Sequence, residues 1–515
     1  MVLVLAVLFI SFSFTGPVLA GPDKAYFTDS GQFSYAKFLA GEGDYIVAAR
    51  EFERLVEHFP SSPLLPEAQF RMAEAYFKAG FYHEAERSYS LFLANFSANP
   101  MAGAVRILIE EAKEKYLKEK LPVVVLDDGP LYEIDDGDRT IRAVQVMIFD
   151  GKSYAEVDGE LKGLKEAGVD TVIVRVFHNR GDRYYPVVGE AGGARGARGP
   201  KGREGGQGVQ TSGVYFSTTH APVIEDILSR LVHLAHRNDL KVFAWMTTRY
   251  ADYGLEERED LACGARDVRT GGLYRCKGLD LFNEEAVRHL EALYSDLAGY
   301  DIDGILFQDD LVLKHGEGFG PHAEALFEEA TGLEARPERL YIATPGGGGV
   351  TYTELFWRWA SWKNKRLLDV AGRLKRVVRA KNPQAEFAIN LMYESVTNPP
   401  YALAWLSQSL PGAVEAGFDY YSVMAYHRQM EEELGRSPEA VKGMIEGMIM
   451  EAKKVVREPD RVLIKLQTVD WKTGGRLPDG EVLGLLSGLK GLDDVSLALV
   501  PYRRDLPLYT GGKPF

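Results

Sequence analysis

The sequence predicts an α/β protein, a (β/α)8 TIM barrel preceded by an all-α domain of tetratricopeptide-like repeats. Three observations predict it. Apolar runs alternate with amphipathic helical stretches from residue 143 onward, helical periodicity with an internal repeat fills residues 30–118, and turn chemistry separates the two over residues 119–142. A chain of 515 residues exceeds what one ordinary core accommodates. Its composition, 46% hydrophobic and 26% charged, is that of a folded globular protein and excludes a disordered or multi-span membrane chain. A formal net charge of −14 argues against nucleic acid as a general partner, because phosphate binding needs a basic surface.

Residues 1–20 read as a signal peptide. Residues 2–14 form an apolar run, Gly16-Pro17 breaks it, and Val18 and Ala20 supply the small residues a signal peptidase needs before Gly21. The run is too short for a comfortable membrane span, which leaves an uncleaved anchor as the alternative. The expectation is export to the periplasm or outer envelope.

Residues 30–118 repeat themselves. Gly43-Asp44-Tyr45 recurs as Gly80-Phe81-Tyr82, and the same offset maps Ala48 to Ala85, Arg50 to Arg87, Phe52 to Tyr89 and Phe59 to Phe96. Small residues and aromatics at helical spacing let paired helices stack closely. Ala68, Met72, Ala73, Ala75 and Tyr76 fit the intervening helix. The pattern resembles tetratricopeptide repeats of bacterial envelope proteins, which implies either a docking module for a secretion or synthesis complex or a packing spacer. Asp127-Asp128-Gly129-Pro130 and Asp135-Asp136-Gly137 then mark a linker over 119–142.

The barrel strands are predicted at 143–149, 171–177, 241–247, 304–310, 386–392, 420–426, 462–468 and 495–502. Continuous apolar runs of this length suit parallel strands buried on both faces. Between them, Ile224, Ile227, Leu228, Leu231, Leu234 and Ala235 form one face of a helix. A doubly wound open sheet is disfavoured, since no Gly-rich dinucleotide turn follows the first strand. Glycines recur at every third position from Gly193 to Gly205, with Arg195, Arg198, Lys201 and Arg203 between them. That is too few triplets for a collagen helix and reads as a basic loop at the barrel mouth. A second glycine run, Gly346 to Gly349, sits in the connection after the fourth strand.

In such a barrel the chemistry projects from the C-terminal strand ends. Those ends carry Asp150, Asp309-Asp310, Glu394, Tyr426-His427, and Gln467 with Asp470-Trp471. Carboxylates suit acid–base work on a glycosidic bond and aromatic faces suit sugar rings. Burial and mutual repulsion in the Asp309-Asp310 doublet should raise one carboxyl's pKa, leaving an acid protonated near neutral pH. Trp245, Tyr250, Tyr393, Tyr426 and Trp471 are candidate sugar platforms, whereas Trp357, Trp359 and Trp362 cluster on a predicted helix and read as core. His427 is a candidate proton carrier.

The two cysteines, Cys263 and Cys276, fall in one predicted loop. In an oxidising compartment they can close it, worth roughly 3 kcal/mol, although spacing alone does not separate a bridge from two free thiols. A zinc site needs more ligands than this pair, so neither metal nor cofactor is expected.

Residues 303–317, DGILFQDDLVLKHGE, resemble the corresponding segment in the C-terminal hydrolase domain of PgaB-type proteins, which process poly-β-1,6-N-acetyl-D-glucosamine. Similar segments follow in family order: Val242-Phe243-Ala244-Trp245-Met246, Leu293-Tyr294-Ser295-Asp296-Leu297-Ala298, Asn390-Leu391 with Asn398-Pro399, Tyr421-Ser422-Val423-Met424-Ala425, and Leu466-Gln467 with Trp471. Together they span residues 143–502. The resemblance implies an endo-acting glycoside hydrolase of partially de-N-acetylated amino-sugar exopolysaccharide, a biofilm polymer, with Lys363 lining the site. A more distant resemblance to chitinase-type hydrolases implies Asp310 as general acid and Tyr426 as a hydrogen-bond donor to substrate. Gln308 departs from that pattern where an Asp would steer the acetamide. His315 and Lys465 stand where the PgaB-type family often has acids, which bears on the catalytic pair. Those proteins also carry a deacetylase domain in front of the barrel; no such motif appears here, so deacetylation is not expected. Asp309, Glu317 and Glu394 compete for the second carboxylate, with a separation of about 5 Å implying retention and one above about 6.5 Å inversion. The alternative to an enzyme is a non-catalytic exopolysaccharide-binding or export scaffold.

Overall fold

The computed structural model describes residues 28–119, 140–189, 212–250, 258–267, 271–343 and 350–508. The leader, most of the linker, the glycine triplets of 193–205 and the run at 346–349 lie outside the described residues. The chain divides into two compact units. One comprises the described residues of 137–332 and 362–515, the other those of 19–136 and 333–361.

The first unit is a closed parallel barrel. Its strands are β1 (Arg142–Val146), β2 (Thr171–Arg175), β5 (Lys241–Met246), β8 (Gly304–Phe307), β11 (Glu386–Met392), β12 (Tyr420–Met424), β13 (Val462–Gln467) and β14 (Ser496–Val500), and β1 closes on β14. Each falls within one of the eight predicted runs apart from an extension by one residue at the start of β1, and several end earlier than predicted. Short antiparallel ribbons decorate the connections: β3 (Phe177–His178) with β4 (Gly213–Val214), and β6 (Ala262–Arg266) with β7 (Leu273–Leu279).

One ring contact tells inside from outside. Phe243 on β5 and Tyr420 on β12 have centroids 6.0 Å apart, although β8 and β11 stand between their strands, so both rings point into the barrel. Side chains alternate along a strand, so Trp245, Ser422 and Met424 also face inward. Asn390 is in register with Ser422, and Ser422 with Leu463, which places Asn390, Leu463, Lys465 and Gln467 on the same inner face. At Gly304 a Cβ would lie 2.8 Å from the Phe243 ring and 2.6 Å from the Glu386 carbonyl oxygen, so only glycine fits beside that ring.

Among the described residues, the first segment of the second unit contains five helices, α1 (Asp29–Glu42), α2 (Tyr45–His58), α3 (Leu65–Lys78), α4 (Tyr82–Asn95) and α5 (Ala102–Glu119). The offset that carries Gly43 to Gly80 also carries α2 onto α4, and the repeated Ala48, Ala85, Phe52 and Tyr89 are all buried. Residues 333–361 belong here rather than to the barrel, which differs from the expectation that everything beyond 143 serves the barrel. The reason is aromatic packing. Trp357 lies 4.9 Å from Tyr35 on α1 and its Nε1 donates to Ser34 Oγ at 3.0 Å, while Tyr352, on the ribbon of β9 (Tyr341–Ala343) and β10 (Val350–Tyr352), stacks on Phe356 at 3.9 Å. Among the described residues no helix is long and apolar enough to cross a membrane.

Candidate active site

Strand β8 ends at Phe307, so Gln308, Asp309 and Asp310 follow in a turn and the pleat does not splay them. Asp310 turns toward the loop after β5. Its carboxylate accepts from the backbone N–H groups of Thr248 (2.9 and 3.0 Å), Arg249 (2.7 Å) and Tyr250 (2.7 Å), and from Thr248 Oγ1 (2.6 Å). Successive N–H groups around one carboxylate form an anion nest. Burial pushes the Asp310 carboxyl up, against the pull of these donors. With these donors Asp310 ties the turn after β8 to the loop after β5.

Asp309 turns the other way. It is only partly covered, and the charges acting on it are Lys465 from β13 and Asp310 beside it. Burial and Asp310 push its carboxyl above the ordinary range, and Lys465 opposes them. Lys465 is buried, and its Nζ donates to Asn390 Oδ1 at 2.9 Å, an oxygen that also accepts from Ser422 Oγ at 3.1 Å. Tyr426, just beyond β12, feels the Asp309 charge, and burial holds its phenol far from ionising. Its ring lies 5.3 Å from that of Trp471. Asp309, Lys465, Tyr426 and Trp471 thus gather toward the C-terminal end of the barrel: a carboxyl with a raised pKa, a buried lysine whose ammonium burial lowers to about 7, and an aromatic wall.

The sequence profile described as hypothetical glycosyl hydrolase family 13 (GHL13) matches residues 202–492. The chain belongs to this family. Among solved structures, the glycoside hydrolase domain of PgaB (BpsB) from Bordetella bronchiseptica matches with a TM-score of 0.54 and 22% identity, covering 70% of this chain and 94% of that one, which establishes the shared fold. A β-galactosidase of family GH42 from G. stearothermophilus matches at a TM-score of 0.46 and 12% identity, covering 70% of this chain and 51% of that one. No curated protein sequence matches.

Not every predicted site residue of this GHL13 chain reaches the mouth. Glu394 opens the turn after β11 and its carboxyl is pushed up to about 8 by burial and by Glu433. The Tyr393 hydroxyl donates to Glu433 at 2.9 Å. The charge acting on Glu394 is Glu433, and those acting on Asp309 are Lys465 and Asp310. Trp245 and Tyr250 are buried, correcting their reading as sugar platforms. The Trp245 Nε1 donates to the Gln308 amide oxygen. Asp150 stays exposed after β1.

Gln467 and His427 build the mouth rather than line it. Gln467 accepts from the N–H groups of Arg428 (2.9 Å) and Gln429 (3.3 Å), at the start of the helix His427–Leu434, and donates to the Val469 carbonyl. His427 Nε2 lies 2.9 Å from Glu481, which also accepts from Arg428 at 2.6 and 2.7 Å. Glu317, a candidate second carboxylate, and Lys363, expected to line the site, are both buried. Glu317 pairs with Arg249 at 3.0 Å, and Lys363 donates to the Glu317 carbonyl at 3.2 Å. Burial lowers the Lys363 ammonium to about 7. Cys263 and Cys276 are bridged across the β6–β7 ribbon, and the Arg249 guanidinium donates to Cys263 Sγ at 3.1 Å.

Sequence reasoning missed the inner polar layer. Lys465 was marked only as a departure from the resembling family, and the signal was in its strand: Leu463, Lys465 and Gln467 alternate on one face, so an inward Leu forces an inward Lys.

Proposed function

We propose that this chain is an exported, endo-acting glycoside hydrolase of poly-β-1,6-N-acetylglucosamine, partially de-N-acetylated, or a related amino-sugar exopolysaccharide, with Asp309 as the proton-transferring carboxyl. The observation that carries the reading is the raised Asp309 carboxyl, partly open to solvent, at the mouth of a glycoside hydrolase barrel and near Tyr426. A carboxyl that keeps its proton above the ordinary range can deliver it to a glycosidic oxygen. The apolar start of the chain and the bridged cysteine pair support export, since such bridges persist in oxidising compartments. The helical unit supplies the docking surface for an envelope secretion or synthesis complex. Deacetylation is not part of this reading.

Incubation with defined glucosamine oligomers of known acetylation, with products weighed by mass spectrometry, tests it. Shortened oligomers of intermediate size are expected. Asp309→Asn should lower kcat by about 10²- to 10⁴-fold, the usual contribution of a general acid, with an unchanged melting curve. A mutant that cuts at the wild-type rate removes Asp309 from the mechanism. The sign of the pH dependence follows from the role: the acid must be protonated, so activity falls as pH rises through the raised Asp309 pKa.

A second reading, a polysaccharide-binding export scaffold, is favoured by one feature. The charged group nearest in influence to Asp309 on a facing strand is Lys465, not a second carboxylate. Oligomers retained on the protein but never shortened would establish it.

A further inference from the structure

We infer that Lys465 is a positioning residue for proton transfer: held inside the barrel by Asn390, its ammonium is the counter-charge for the Asp309 carboxylate formed when the proton leaves. The inference rests on the reading of Asp309 as the proton donor and names a residue that reading leaves without a task.

Lys465 sits at 1% exposure in the middle of β13, between Ile464 and Leu466. A buried ammonium costs several kcal/mol unless something compensates it. Asn390 and Ser422 orient it, through the 2.9 Å bond from Nζ to Asn390 Oδ1 and the 3.1 Å bond that fixes that same oxygen. They bring dipoles, not charge. Ile389 is in register with Phe307, so Asn390, which holds Lys465, stands beside the turn that carries Asp309; burial lowers the Lys465 ammonium to about 7, and the Asp309 charge opposes that fall. Asp309 in turn faces Lys465 from β13, Tyr426 from beyond β12, and Asp310 from its own turn. Tyr426 stays neutral, and Asp310 adds a like charge that Lys465 must outweigh.

The step balances. The proton passes from the Asp309 carboxyl to the glycosidic oxygen, the bond from the anomeric carbon to that oxygen breaks, and its electron pair stays with the leaving oxygen. Asp309 is then a carboxylate in a partly desolvated pocket, where a fixed cation is worth most. Water adds at the anomeric carbon and gives up a proton that restores the Asp309 carboxyl. Lys465 exchanges no proton in this sequence; it stabilises the charge that appears on its neighbour.

The test is the pH profile of kcat on glucosamine oligomers for Lys465→Met, Lys465→Gln and Lys465→Arg in the full chain. An opposite charge nearby lowers a carboxyl pKa by roughly 1–3 units, so Met and Gln should move the alkaline limb up by about one unit or more. At the wild-type optimum kcat should fall about tenfold or more while KM changes less than threefold, and Arg should restore the limb. Gln retains a donor toward Asn390, which guards against a Met variant that does not fold. Equal loss in all three variants with an unmoved limb assigns Lys465 to packing alone and overturns the inference. If the wild-type protein cuts nothing, the hydrolase reading fails separately. The pairing is then read from the Asp309 carboxyl infrared band, taken as a difference against Asp309→Asn: titration at higher pH in Lys465→Gln supports the counter-charge, and an unmoved band refutes it.

Discussion

Asp309 and Asp310 are adjacent in the chain and do unlike work because strand β8 stops at Phe307. Asp310 satisfies three consecutive backbone N–H groups and one hydroxyl in a buried turn. Replacing it with Ala strands those donors, each at a cost of about 1–3 kcal/mol, so Asp310→Ala should lose at least about 3 kcal/mol of unfolding free energy. Asp309 carries no such duty, and Asp309→Asn should stay within about 1 kcal/mol of wild type. Urea denaturation of both variants checks the contrast; equal losses would mean the doublet is structural throughout. The doublet itself was legible in the sequence as two acids beyond an apolar run. Which acid faces the mouth was not, because that depends on the Thr248–Tyr250 backbone, sixty residues distant and invisible to any local pattern. The burial of Glu317 and Lys363 was not legible for a similar reason: a charged residue looks exposed in sequence until its buried partner, here Arg249 for Glu317, is found.

At the scale of elements, the eight barrel strands were legible because a strand covered on both faces must be apolar throughout. The β6–β7 ribbon was not. Its residues, Ala-Cys-Gly-Ala-Arg and Leu-Tyr-Arg-Cys-Lys-Gly-Leu, are mostly small or charged and show no apolar run, and Leu273 and Tyr274 remain exposed. The ribbon is held by its disulfide and by Arg249, whose guanidinium reaches Cys263, Glu317 and the Val312 carbonyl. The Arg249 backbone N–H is also one of the donors to Asp310, so the ribbon buttresses the loop that Asp310 clamps. Replacing both cysteines by serine reopens a loop with a sequence separation of 13, at a cost of roughly 3 kcal/mol on the chain-entropy account. The double variant should therefore melt lower, and dithiothreitol should destabilise the wild-type protein but not the variant. A variant as stable as wild type would show that Arg249 and Glu317 hold the ribbon without the bridge.

At the scale of the whole molecule, the two-unit plan was legible from the change of hydrophobic period, yet the membership of residues 333–361 was not. That segment reads as one more connection leading into a barrel helix, and the helix Glu354–Arg379 does run on past the unit boundary. What assigns its first part to the helical unit is contact: Trp357 against Tyr35, its Nε1 on Ser34, and Arg358 within 3.9 Å of Glu42. A consequence follows for truncation. Removing 19–136 alone strips Trp357 of the α1 surface and opens the ring cluster it forms with Tyr352 and Phe356, and each large side chain uncovered forfeits about 1.5–3 kcal/mol of burial. The exposed aromatic patch should drive self-association, seen as early elution on size exclusion. Removing 19–136 together with 333–361, rejoined through a Gly-Ser link, takes away both halves of that packing and should leave a soluble barrel. If the single deletion stays monomeric and melts like the full chain, the aromatic packing in the helical unit is not what holds residues 333–361.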